Sequence, residues 1–418
     1  MNPRKRRLEL MVLGGAAFVL SGAVLSLVLD TEGTALEGNP AWRLVLAVTY
    51  LGVALVLLPW YRDALFVVRR NWSLVALLLL ALLSSLWSEM PDLVLRKCIA
   101  LFGMTLFGVA LAVRVSLQEQ LRVLSWLFRI LAVLSLACVL LLPGYGISKE
   151  GDWMGVFDYK NALGSAMGLS LLIESQLPAH TGLSRVLKAL FMLLSAVLLL
   201  NSDSVTPAVV LIVALVLLNI YKFAALRLHV PLYVLVVIVV ILGSVGLSFL
   251  VSNSDRVTAL LGRSSNLTGR TEIWSLVLSF IPQRPILGYG YSGFWLGASP
   301  ESLVVNRVMR GPVMYSHNGY LEMLLTLGAI GLLLTLVLIG SGVKRALYIS
   351  RHSFSSCALW PLAFLLYFII HNAGECTIMV QDIEWALCVS CIIGADPLLF
   401  ACKAQEEEMP LISMVEPA

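Results

Sequence analysis

Uninterrupted apolar runs, most of them 16 to 25 residues long by a rough count, recur from one end of the chain to the other, and they limit the possible folds more than any other feature. They fall at about residues 8–29, 43–60, 72–88, 98–113, 121–142, 161–176, 184–200, 205–221, 230–251, 318–342, 355–371 and 381–400. An α-helix needs roughly 20 apolar residues to cross the hydrocarbon core of a bilayer. The runs are continuous and do not alternate every second residue, which argues against a transmembrane β-barrel. Hydrophobic residues make up 59% of the 418 and charged residues only 13%, with a mean hydropathy of +0.91. Soluble globules carry about a quarter charged residues, so that class is excluded, as are disordered chains and disulfide scaffolds. The expected fold is an all-α integral membrane protein with about twelve transmembrane helices. It would form a single polytopic domain over residues 1–400, with a short solvated tail over 401–418.

Basic residues orient the helices. Arg4, Lys5, Arg6 and Arg7 precede the first run like the basic start of a signal peptide, but the run is too long for a cleaved segment and lacks a convincing cleavage site, so it reads as a helix. If the N-terminus is cytoplasmic, more than half of the 29 Lys and Arg fall in cytoplasmic connections, among them Arg62, Arg69, Arg70, Arg114, Lys344 and Arg345. Both termini are then inside. The net charge of +4 mostly records this topology and does not imply nucleic acid. Cys388 and Cys391 form a CxxC spacing inside an apolar run, where small packing residues are the better reading than redox chemistry. The Asn71 and Asn266 sequons read as chance matches.

Polar material collects on the other face. It includes the connection from Gly144 to Asn161, the turn Ser202-Asp203-Ser204, a loop of about 65 residues over 252–317, and the His371-Asn372 turn. Loops of that length are uncommon unless they are functional. His317 and His371 lie on this face, each followed by Asn, and histidine is the side chain suited to take a proton near neutral pH. The long loop adds Arg263 and Arg270, then Thr271 to Pro282, whose apolar residues suit a short helix lying in the interface. Guanidinium groups match phosphate oxygens in bidentate geometry, so several arginines beside an outer histidine point to an anionic lipid substrate.

Four segments in order resemble one family, the bacterial O-antigen ligase and Wzy-type polysaccharide polymerase superfamily. They are Ser84-Ser85-Leu86-Trp87-Ser88 with Pro91, Arg96 and Lys97; Gly155 to Gly164 around Lys160-Asn161; Gly269-Arg270-Thr271-Glu272-Ile273-Trp274 with Pro285 to Gly290; and His317-Asn318 followed by Gly328 and Gly331. The resemblance implies a metal-independent glycosyltransferase of the GT-C type in the inner membrane, without a cofactor. It implies transfer of a glycan from undecaprenyl diphosphate to an acceptor hydroxyl on the periplasmic side. The partners would be the lipid-linked oligosaccharide donor, a glycan acceptor and membrane lipid, with a polysaccharide chain-length regulator as a further candidate.

On this reading His317 deprotonates the acceptor and Arg270 binds the departing diphosphate. Lys160, Arg96 and Lys97 are candidates to complete the cradle, with Arg263 beside them in the loop. Asn161 and Asn318 would orient sugar or base. Glu272 and Trp274 would hold Arg270 and the interfacial helix, and Glu375 and His371 would face the acceptor cleft. The chain departs from the ligase pattern at Asn201-Ser202-Asp203-Ser204-Val205-Thr206, where ligases usually carry an arginine. The Lys160-Asn161 pair looks more like the exopolysaccharide polymerase branch, so polymerase is favoured over ligase. A transporter should carry paired polar residues at the bilayer midplane. Here Arg129 is the only basic residue deep in a run, and that class is disfavoured.

Overall fold

The structure is a computed structural model and describes residues 3–23, 39–223, 267–295, 299–353, 356–401 and 403. The expected span at 230–251, Arg263, Asn266 and most of the tail lie outside the described residues. Among the described residues the chain is helical, with no strand and an isolated bridge between Ile147 and Trp153. The longer helices are α1 (Pro3–Leu20), α2 (Pro40–Leu57), α3 (Tyr61–Arg70), α4 (Trp72–Leu83), α5 (Pro91–Arg114), α6 (Leu117–Leu141), α7 (Lys160–Gln176), α8 (Gly182–Asn201), α9 (Val205–Tyr221), α10 (Leu267–Phe280), α11 (Pro300–Val308), α12 (Gly319–His352), α13 (Trp360–His371) and α14 (Ile383–Gly394). Five stretches are long and apolar enough to cross a membrane: Pro40–Arg70, α5, α6, α8 and α12. Shorter apolar helices cover Trp72–Leu86, α9, Cys357–His371 and α14. The chain is a multi-pass membrane protein.

Local chemistry sets the helix starts. Ser116 and Glu119 form a reciprocal capping box ahead of α6, and Pro91 at the first turn of α5 is followed by Asp92 against the helix dipole. Several boundaries differ from the sequence expectation, and α12 runs on to His352, past the expected end at 342. The segment 61–70, expected as a connection, is the amphipathic helix α3, and its sequence places Arg62, Leu65, Phe66 and Arg69 along one side. Helix α11 lies inside the expected long loop, started by Ser299, whose side chain accepts from Ser302 N, and by Pro300, and ended near Arg307. The run expected at 381–400 is broken at Ala395-Asp396: α14 covers twelve residues, and the chain is helical again from Pro397 to Ala401.

Every residue of α14 is buried, which marks it as a central helix and not a lipid-facing one. It packs along α5. Gly108 permits this approach, since a Cβ there would sit 2.5 Å from the Ala386 carbonyl oxygen. Trp385 Nε1 donates to Thr105 Oγ1 at 3.0 Å across the same seam. Cys388 and Cys391 are both buried in α14 as packing residues. Arg129, alone in the sequence reading, has a partner. Its guanidinium forms a two-pronged pair with Glu174 of α7 at 2.8 and 2.9 Å, Ser125 Oγ donates to the same carboxylate, and the rings of Trp126 and Phe191 flank the charge. The pair ties α6 to α7 and neutralises a charge that hydrocarbon would not accept.

The longest helix is broken. In α12, Gly328 has φ +66° and ψ −165°, and the segment from Pro285 to Gly290 lies against the break. Tyr289 N and Gly290 N donate to the carbonyls of Leu325 and Thr326 at 2.9 and 2.8 Å. Ala329 N and Ile330 N donate to Pro285 O and Ile286 O at 2.8 and 3.3 Å. Four interelement bonds thus replace those the helix loses, as a membrane-embedded backbone requires. Contact is close: a Cβ on Gly328 would sit 2.2 Å from Ile286 O, and one on Gly288 would sit 2.5 Å from the Thr326 carbonyl carbon. The Pro285–Gly290 and Gly328 motifs are two sides of one joint.

Replacing Gly328 with Ala should destabilise the detergent-purified protein by about 1–3 kcal/mol, because it combines a left-handed φ with a backbone clash. Gly340, also in α12, has open space where a Cβ would go, so Gly340→Ala should leave the thermal midpoint unchanged or raised. Differential scanning fluorimetry of the two variants checks this.

Candidate active site

The start of α12 and the loops facing it gather the polar groups. Helix α10 carries Arg270, and that helix is fixed by Trp274, whose Nε1 donates to the Ser316 carbonyl at 2.9 Å. The Ser316–Asn318 turn is held from the other side by Glu322, which accepts from Ser316 N at 2.9 Å and from Trp295 Nε1 at 2.7 Å. Asn318 caps α12, accepting from Tyr320 N and Leu321 N, while its Nδ2 donates to Ala373 O at 3.2 Å. His317 is left at φ +52° between these anchors. The local sequence places the histidine by fixing both its neighbours.

The opposing loop, between α13 and α14, is built around Asn372. This residue is fully buried, its Oδ1 accepts from Thr377 N and Ile378 N, and its Nδ2 donates to Phe368 O and Thr377 Oγ1. Gly319 N donates to the carbonyls of Asn372 and Glu375. A side chain on Gly319 would collide with Asn372 Oδ1 at 2.3 Å. The result is a rigid turn that presents Glu375 to the histidine.

Glu375 joins the pieces. Its Oε1 accepts from Arg270 at 2.7 Å and from Asn161 Nδ2 at 3.4 Å, and its Oε2 lies 3.4 Å from His317 Nδ1. Arg270 also donates to Gly374 O at 2.7 Å and to Thr206 Oγ1 at 3.3 Å. Ser204 donates to Asn161 Oδ1 at 3.0 Å. The ring of Tyr315 lies 4.4 Å from that of His317, centroid to centroid. Burial works to raise the Glu375 carboxyl, but the hydrogen bond from His317 and the charges of Arg270, His317 and His371 override it, so it sits below the ordinary glutamate range. Burial and the nearby Glu375 and Cys376 push the Tyr315 hydroxyl up to about 12, which keeps it protonated.

This arrangement suits proton transfer. A carboxylate on Nδ1 selects the tautomer in which Nε2 carries the lone pair, and His317 Nε2 has no hydrogen bond among the described residues. The histidine side chain is 26% exposed, enough for a substrate to reach. Arg270 has five N–H groups, three of which are engaged by Gly374, Thr206 and Glu375. Among the described residues the other two have no partner and could meet an anion.

The other expected residues divide. Asn161 is in the cluster, while Asn318 serves as a helix cap at its edge. Lys160 pairs with Asp152 at 2.8 Å. Arg96 is exposed on the first turns of α5, and Lys97 is half-buried beside it. Glu272 is exposed, and Glu375 does the work of holding Arg270 that was expected of it. His371 is buried, with Nδ1 2.9 Å from Glu384 and Nε2 3.2 Å from Ser165, so it does not face an open cleft. Sequence reasoning missed Thr206, Ser204 and Tyr315. The turn at 201–206 was judged by its lack of a basic residue, yet its hydroxyls supply the contacts. Tyr315, two residues before His317, gives no local signal of its own.

Two comparisons with known proteins match parts of this chain. Residues 190–336 match the family model described as O-antigen ligase, Wzy_C, a segment that includes Thr206, Arg270 and His317. That match covers about a third of the chain. It is also 31% identical over 120 residues to the exopolysaccharide production protein ExoQ of Rhizobium meliloti (strain 1021), covering 27% of each chain. The aligned part thus spans about a quarter of that relative's length.

If Glu375 is stabilised as a carboxylate by Arg270 and His317, Glu375→Gln should lower the thermal midpoint by several degrees at pH 7. The depressed carboxyl contributes stability that is complete above the ordinary glutamate range near pH 4.5 and is lost as pH falls through the lower native value. The gap between wild type and variant should therefore narrow below about pH 4.5. Thermal melts from pH 3 to pH 8, in roughly unit steps, test the sign.

Proposed function

We propose that the protein is a periplasmic-face glycosyltransferase of the bacterial inner membrane that joins undecaprenyl-diphosphate-linked oligosaccharide repeat units into a polymer. The observation that carries this reading is the linked set His317, Glu375 and Arg270 at one end of a membrane-embedded bundle. The acceptor hydroxyl gives its proton to His317 Nε2, and its oxygen attacks the anomeric carbon of the donor. The bond from that carbon to the diphosphate oxygen breaks, the configuration inverts, and the charge that leaves with the diphosphate is met by the remaining N–H groups of Arg270. Glu375 keeps the histidine in the required tautomer and stabilises its protonated form. The acceptor is a second lipid-linked repeat.

Transfer to lipid A core, the ligase reaction, is the second reading, supported by the description of the matching family model. The relative's name and the Lys160-Asn161 pair favour polymer synthesis. The two readings separate in a reconstituted assay with lipid-linked repeats and no lipid A core. A product ladder is expected, and a ladder that forms only when core is added would overturn the polymerase assignment. His317→Ala should abolish transfer at normal expression. Arg270→Lys keeps the charge but loses the planar fork, and should reduce the rate by about 100-fold, on the scale of losing one transition-state donor.

A further inference from the structure

A crevice of about 370 Å³ opens between α2, α3 and α5, within the size range of small-molecule sites. Its walls include Leu57, Leu65, Leu78, Phe102 and Leu106. Two polar residues border it, Tyr61 and Thr105, and neither hydroxyl is idle. Thr105 Oγ1 donates to Leu101 O and accepts from Trp385, and the Tyr61 hydroxyl accepts from Arg62. The interior thus offers a ligand only hydrocarbon contact. A second hollow adjoins it along α3, bounded by Arg62, Leu65, Phe66, Arg69 and Arg70. Leu65 belongs to the walls of both, so an apolar slot leads to a mouth edged by guanidinium groups.

The arginines differ in how far they are committed. Arg70 pairs with Asp396 at 2.9 Å and is part of a structural network with Arg345 and Asn71. Arg62 and Arg69 are exposed on α3, seven residues apart and therefore on the same face of the helix. The acid on this helix, Asp63, is in its first turn and outside the hollow. This is the end of the bundle remote from His317, because Arg345, which reaches Asn71, is 26 residues along α12 from Gly319, about 39 Å of helix.

We propose that the crevice seats one acyl chain of an anionic phospholipid, whose headgroup phosphate is held by Arg62 and Arg69. The slot excludes water and rewards hydrocarbon, while the mouth rewards negative charge. A zwitterionic lipid would satisfy the slot but gain less at the mouth. The bound lipid would brace α3 against α2 and α5, where the described residues leave the crevice unfilled.

The test uses full-length protein purified in detergent and stripped of lipid, with mixed micelles of phosphatidylglycerol or phosphatidylcholine added back. Phosphatidylglycerol should raise the thermal midpoint and be retained in native mass spectra, with phosphatidylcholine weaker. The double variant Arg62→Gln/Arg69→Gln should lose about 30-fold in preference for phosphatidylglycerol, and Arg62→Lys/Arg69→Lys should keep most of it. If the double variant does not give monodisperse protein, Arg69→Gln alone reads the same preference, with about a five-fold loss expected. Leu106→Trp, which fills the slot, should reduce retention of both lipids. Equal effects of the two lipids on wild type, or an undiminished preference in the glutamine variants, would overturn the proposal.

Discussion

A helix inside a bilayer cannot leave backbone groups unpaired, and the break at Gly328 is tolerated only because the Pro285–Gly290 segment supplies the missing partners. The rest of the site depends on this exchange. Helix α10, which carries Arg270, runs directly into the segment that docks at the break, and α12 begins at the cap beside His317. Docking therefore sets the distance between arginine and histidine, although neither residue touches the joint. Ser84 and Ser88 brace the same segment: Ser84 Oγ accepts from Tyr291 N at 2.9 Å, and Ser88 lies against Gly290 and Gly293. Three stretches far apart in sequence thus form one backbone scaffold, with chemistry at its rim.

Most of the architecture was legible as apolar runs, because hydrocarbon thickness imposes one length on every crossing. What the runs did not reveal were helices that satisfy other conditions. Helix α3 alternates charge and hydrocarbon at helical spacing, so a search for uniform apolarity passes over it. Helix α11 carried start and stop signals at Ser299, Pro300 and Arg307, which were legible but lay within a stretch read as loop. In the candidate site, His317, Arg270, Asn161 and Glu375 were named in advance. The connections among them were not, because Glu375 meets Arg270 from a position 105 residues away and no local pattern encodes that meeting. Lys160 shows the converse. Its place beside Asn161 suggested a shared role, yet adjacent residues on a helix point about 100° apart, and the lysine turns to Asp152 instead.

Charge is handled differently at the two ends of the bundle. Around Arg70, Arg345 and Asp396, and around Arg6, Glu9, Arg114 and Glu119, the ionised groups bond to one another and to helix-end carbonyls, binding elements together. Around Glu375 the same kinds of group are joined but not saturated: among the described residues the histidine keeps a nitrogen and the arginine keeps two N–H groups. A buried network that is fully satisfied holds structure, and one that leaves donors and acceptors facing an opening can do chemistry.

The wholly buried helix α14 also bears on the order of events during synthesis. Its groove is formed mainly by α5, which is made some 270 residues earlier at ribosomal pace. Until α14 arrives, Gly108 and Thr105 lack the partners they have in the finished fold, and the seam they form with Ala386 and Trp385 stays open. The interior of this protein is closed from the C-terminal side, and the loop bearing Glu375 is drawn into register by the same late step.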